Sequence, residues 1–198
     1  MTADTLTHHD HHHNADATDI FGFWIYIMSD CILFAIIFAT FAVLHTDLYG
    51  GPALKELTDM PYVLVETMVL LSSSFTYGMS ILALYKNEIK KVITWLIITF
   101  LLGATFVGME INEFVHLCLE GHSWQSSAAL SAFFTLVGTH GFHVFMGLFW
   151  MLTLVIQLLV FGINPMMRRR LTYLGLFWAF LDIVWIFVFT IVYLMEAI

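Results

Sequence analysis

The chain has 198 residues, 60% hydrophobic and 11% charged, with a formal net charge of −8 and a mean hydropathy of +0.87. A water-soluble domain of this size needs a far more polar surface. An acidic chain without a basic stripe does not suit nucleic acid. Cys31 and Cys118 lie in apolar runs, where lone cysteines act as small packing residues rather than halves of a disulfide or metal knuckle.

Residues 1–19 read as a polar tail in which His8, His9, His11, His12 and His13 are mixed with Asp, Thr and Asn. Such a tract buries too little apolar surface to fold alone, so a disordered tail with incidental affinity for zinc or nickel is expected. It lacks the basic start and short apolar run of a cleaved secretory signal. The next apolar segment is therefore expected to stay in the membrane as an anchor.

Five apolar stretches follow, from about Phe21 to Leu44, Tyr62 to Tyr85, Val92 to Cys118, Ala128 to Phe161, and Leu171 to the C-terminus. Each is long enough to cross a hydrocarbon core of about 30 Å as a helix. Pro61 suits a helix start. The third and fourth exceed the minimum length and are expected to tilt or to extend beyond the lipid. The reading is an all-α, polytopic membrane protein, with residues 20–198 forming a bundle of five transmembrane helices. Lys86, Lys90, Lys91, Arg168, Arg169 and Arg170 fall on one side of that topology, and only Lys55 on the other. The positive-inside bias then places the N-terminus in the cytoplasm and the C-terminus in the periplasm. Short connections make sequential helices antiparallel neighbours, and no internal repeat of the transporter kind is visible. Trp24, Tyr26, Tyr62, Tyr85, Trp124, Tyr173 and Tyr193 sit where interfacial aromatic belts would lie. Gly103, Gly108, Gly138, Gly141 and Gly147 would let helices approach closely.

Ionisable groups at bilayer depth need a partner or a function. Here they are Asp30, Glu66, Glu110, Glu113, His116, His140, His143 and Asp182. At 1.5 Å of rise per residue, Glu66 and Glu113 come about 7 Å below the outer helix ends, with Glu110 a turn deeper. Three carboxylates in one space cannot all ionise, so at least one is expected to be protonated, with His116 the nearest base. Asp182 matches His140 and His143 in depth, and a contact between them is expected because an unpaired group there is costly. Glu113-x-x-His116 looks like half of a di-iron carboxylate site, but no second such motif occurs. His140 and His143 share one helix face, yet two histidines are an incomplete ligand set. Satisfied polar groups at helix interfaces are the favoured reading. No nucleophile-plus-base arrangement, phosphate loop or dinucleotide fingerprint appears.

These residues carry a resemblance. Gly-Thr-His-Gly-Phe-His-Val (Gly138 to Val144) and Phe-Trp-Ala-Phe-Leu-Asp-Ile-Val-Trp (Phe177 to Trp185) resemble the last two helices of subunit III of the haem-copper terminal oxidases. The segment from Val65 to Ser74, with the intramembrane Glu66, and the paired-glutamate segment from Gly108 to Phe114 are similar to two further shared segments of that family. The five-helix form, and the opening from Ile20 to Phe34 after a His-rich tail, look like the quinol-oxidising cytochrome o branch. One position departs: the family pattern Trp-His-Phe reads Trp178-Ala179-Phe180 here, which makes Asp182 more dependent on the fourth-helix histidines.

The resemblance implies a non-catalytic accessory subunit of a proton-pumping ubiquinol oxidase, with subunits I, II and IV and phospholipids as partners. Haems and copper would lie in subunit I, with no catalytic, cofactor or metal-binding residue in this chain. A bacterial inner membrane is implied, and support of assembly, stability and proton uptake is the implied role. Alternatives are subunit III of a cytochrome c oxidase, or an independent proton-coupled transporter.

Overall fold

A computed structural model describes residues 4–45, 60–119 and 127–194, with backbone alone for 4–17 and 19. Trp124 and Lys55 lie outside the described residues. Every regular element is helical: α1 (Asp4–Leu44), α2 (Met60–Tyr85), α3 (Ile89–Leu119), α4 (Ala128–Phe161) and α5 (Pro165–Val188), the last running on into a π-helical segment, Phe189–Leu194. Five of these stretches are long and apolar enough to cross a membrane, beginning with Ile20–Leu44 and ending with Pro165–Leu194. The chain is a multi-pass membrane protein by that architecture. It divides into a unit Met1–Ile36 and a unit Ile37–Ile198.

Local chemistry sets the helix ends. Helix α1 begins within the stretch assigned above to the tail; no proline or glycine interrupts the chain between Asp4 and Gly22. Ser127 caps α4 by accepting the Leu130 N–H at 3.1 Å. Helix α4 ends at Gly162, whose φ of 68° suits glycine, and whose N–H donates to the Leu158 carbonyl at 3.0 Å. Asn164 and Pro165 then open α5, proline being favoured where its missing N–H has no partner to lose. The α2–α3 turn is Asn87, at φ 59°, a conformation that Asn tolerates.

In the second unit, α2 packs on α3 and α5, and α4 packs on α3 and α5. The four helices thus close into a ring whose interior is filled by Phe106, Phe133, Leu136, Trp178 and Trp185. Trp178 sits in a slot made by two glycines. A Cβ on Gly103 would come within 3.0 Å of its ring, and one on Gly147 within 3.1 Å. The two basic turns meet at one end of the ring: Arg168 hydrogen-bonds the Asn87 side chain, and Arg170 donates to Gln157 at 2.7 Å. Helices α3 and α4 have 31 and 34 residues, about 46 and 51 Å at the standard rise, beyond what an upright span needs.

Several of the positions named from the sequence are placed as follows. Tyr193, next to the end of the fifth span, is buried within the protein, on the π-helical segment that continues α5. Gly108 has open space around it, so it takes no part in close packing within the chain. Both cysteines are free thiols at exposed positions.

Because Trp178 fills the centre between two glycines, Trp178→Ala is expected to cost about 3–5 kcal/mol. The measurement is the thermal unfolding midpoint of the detergent-solubilised protein, compared with Trp178→Phe.

Candidate functional site: a buried polar core

Hydroxyl groups in a spanning helix need partners inside the protein. Helix α2 is the least hydrophobic of the five spans; Tyr62 and Thr76 bond to α3, and a row of its other polar residues faces α5. Ser74 donates its hydroxyl to Asp182 Oδ2. The Trp178 indole donates to Ser73 Oγ at 3.1 Å, and the Trp185 indole to Thr67 Oγ1 at 3.1 Å. The Tyr77 hydroxyl donates to the Leu171 carbonyl at 2.6 Å. These contacts form a polar seam along the α2–α5 interface. The hydrogen bond to Asp182 comes from this seam and not from an α4 histidine. The fifth helix instead turns Trp185, three residues on, toward His140.

Three carboxylates gather nearer the other end of α2. Glu66 (α2) is 0% exposed and lies within electrostatic reach of Glu113 and Glu110 (α3). Neither Glu66 oxygen, nor Oε1 of Glu110, has a hydrogen bond among the described residues. Glu113 is held by Tyr193, whose hydroxyl donates to its oxygens at 3.2 and 3.5 Å. Tyr193 lies within electrostatic reach of all three acids. Glu110 rests on α4: a Cβ on Gly141 would come within 2.6 Å of its carboxyl carbon.

His140 is 0% exposed. Its ring centroid lies 5.0 Å from Trp185 and 6.0 Å from Phe106, and Trp185 in turn lies 6.5 Å from Tyr193. An aromatic column therefore runs beside the acid cluster. The remaining candidates have other surroundings. His143 is half-buried and its Nδ1 donates to the Thr139 carbonyl at 2.7 Å. His116 is exposed, whereas Glu113 is buried. Asp30 is on α1 in the N-terminal unit, hydrogen-bonded by Tyr26 one turn earlier. Among the described residues, no group of three or more His, Cys, Asp or Glu is arranged to hold a metal ion.

Sequence reasoning singled out the acids and missed what holds them. Tyr193 was hidden by the π turn. Thr67, Ser73, Ser74 and Tyr77 carried a usable signal: a run of hydroxyls in an otherwise apolar span implies hydrogen bonds to neighbouring helices. Chemically, the site can hold protons and hydrogen bonds out of water.

Comparison with known proteins adds to this geometry. The family model for cytochrome c oxidase subunit III matches residues 1–197. The cytochrome bo(3) ubiquinol oxidase subunit 3 of Pseudomonas aeruginosa is 55% identical over 190 residues, covering 96% of this chain and 91% of the relative. That of Pseudomonas putida is 50% identical over 183 residues, covering 92% and 88%. The cytochrome c oxidase subunit 3 of Bacillus sp. (strain PS3) is 46% identical over 174 residues, covering 88% and 84%.

The contact between Glu110 and Gly141 yields a test. Gly141→Ala is expected to destabilise the protein by about 1–3 kcal/mol through overpacking. Adding Glu110→Ala should recover part of that loss, because the clash goes with the carboxyl. A double-mutant cycle on thermal unfolding measures the coupling; strictly additive effects would place the Glu110 carboxyl elsewhere.

Proposed function

The chain belongs to the cytochrome c oxidase subunit III family, and from that premise we propose that it is the accessory third subunit of a proton-pumping cytochrome bo3-type ubiquinol oxidase. The observation that carries this reading is the near full-length match, at 50 and 55% identity, to two proteins named as that subunit. In this reading ubiquinol oxidation and dioxygen reduction take place on haems and copper held by subunit I. This chain supplies no ligand to them and works by packing beside the catalytic subunits, with subunits I, II and IV and phospholipids around it. The complex sits in the bacterial inner membrane, with the Arg168 to Arg170 turn facing the cytoplasm. The His-rich stretch of residues 1–19 extends on that same side.

Within this role the buried polar groups divide. The α2–α5 seam and the Tyr193–Glu113 contact hold the helices together. Interhelical hydrogen bonds in membranes contribute about 0.6–2 kcal/mol each, enough in combination to fix helix rotation. Glu66 is the residue for a proton-linked role, because its carboxyl is enclosed among other acids and takes no part in the hydrogen-bonded seam. Through it the subunit would support sustained proton uptake by subunit I.

A second reading, the third subunit of a cytochrome c oxidase, is favoured by the 46% identity to a relative of that name. The electron donor separates the two. The complex isolated through an affinity tag on this chain is expected to bring haem, shown by its visible spectrum, and to oxidise ubiquinol faster than reduced cytochrome c. The reverse preference would select the second reading, and a haem-free preparation would end both. In the active complex, Glu66→Gln is expected to lower the protons pumped per electron or to shorten turnover lifetime. Wild-type values for pumping, lifetime and assembly together would remove Glu66 from the mechanism. Single cysteines at Arg169 and Thr172 should react with an impermeant thiol reagent only from the cytoplasmic face.

A further inference from the structure

Glu110 has a second aspect that the acid cluster does not use. It lines a groove of about 220 Å³ on the outside of the ring, between α3 and α4. Ile111 and Phe114 form one wall, Phe142 and Phe145 the other, and Gly138 opens the floor. Glu110 itself is 3% exposed, and its Oε1 has no hydrogen bond among the described residues. A carboxyl at the base of an apolar groove in a membrane calls for a donor, since an unmatched polar group there is costly.

Acyl chains offer no donor, and two features keep phospholipid headgroups away. Phe114, one turn beyond Glu110 on α3, lines the outer part of the groove and lies tilted against Phe134 at 4.8 Å between ring centroids. The α3 edge also stays apolar and exposed beyond Glu110, through Ile111, Val115 and Leu119. That edge runs for about two further turns, placing the polar boundary well past the groove. Entry to Glu110 is therefore sideways, from within the membrane plane. The floor suits a packed helix. A Cβ on Gly138 would meet only Phe114, at 3.7 Å, leaving the α4 backbone open to close approach by another helix.

We propose that the α3–α4 groove is the seat of a transmembrane helix from another subunit, which inserts a hydrogen-bond-donating side chain, hydroxyl, amide or cationic, onto the Glu110 carboxyl. The inference rests on the reading of this chain as a subunit of a larger complex. It assigns to the face made by α3 and α4 a protein neighbour rather than lipid. It also gives Glu110 a role distinct from that of Glu66: a docking contact between chains rather than a proton site.

The test uses the intact complex. A photoreactive benzoylphenylalanine replaces Phe142, and in a second version Phe145, with Phe75 on exposed α2 as a reference position. After illumination, adducts are mapped by mass spectrometry. The expected result is an adduct from position 142 or 145 to a spanning peptide of one other subunit. Glu110→Leu should lower the yield at least fivefold, while Glu110→Gln, which keeps an acceptor, should preserve most of it. Gly138→Leu, which fills the groove without touching the acid, should lower the yield as Glu110→Leu does. Adducts only to lipid or quinone, no adduct at either position, or a yield indifferent to both leucine variants would each overturn the proposal. A preparation that carries no haem would instead count against the subunit reading itself.

Discussion

The structure depends on one constraint: a polar side chain inside a bilayer must find its partner in the protein. Helix α2 meets it with hydroxyls directed at α5, where Trp178, Trp185 and Asp182 receive or return the hydrogen bonds. Each bond is modest, because even the separated helices find alternative partners in the membrane. Together they fix the rotation of two long helices about their own axes, which apolar contact against equally apolar lipid does not do. The glycine slot for Trp178 and the position of the acid cluster follow from that rotation.

The acids gain their character from the same constraint. Glu113 is tied to Tyr193, Glu110 is pressed onto Gly141, and Glu66 is enclosed without a hydrogen bond among the described residues. One cluster thus holds an anchored carboxyl, a wedged one and an enclosed one. Such a graded set leaves two of the three carboxyls in close contact with neighbouring helices and one enclosed among acids. An active site would need convergent ligands or a nucleophile facing its base. Here the histidines diverge: His140 lies against indole and phenyl rings, His143 bonds its own helix, and His116 turns outward.

Much of this was legible in the amino acids. The fourth span is bounded by the residues expected, Ala128 and Phe161, because Ser127 and Gly162 are strong local signals. Leu44 and Tyr85 also end their helices as expected, while the remaining ends moved. The intramembrane acids could be named, since charge in an apolar run stands out. Rotation could not be read: depth follows from counting residues, but the face a residue presents depends on packing between helices far apart in sequence. Asp182 therefore seemed destined for the fourth helix and met the second. Tyr193 was missed for a related reason, as a π turn changes the periodicity on which a helical face is counted.

Much of the aromatic filling of the ring comes from α5, which follows the other three helices in the chain. Trp178, Trp185 and Tyr193 all come from α5 and its continuation, while α2, α3 and α4 contribute slots and acceptors. A chain synthesised from its N-terminus exposes those empty slots and unmatched hydroxyls until α5 is inserted. During biogenesis the earlier spans are thus an open mould, and the fifth is the casting that sets it. Quality control that senses unmatched polar groups in the membrane would see the protein as incomplete until that moment, and any chain shortened before Trp178 as permanently so.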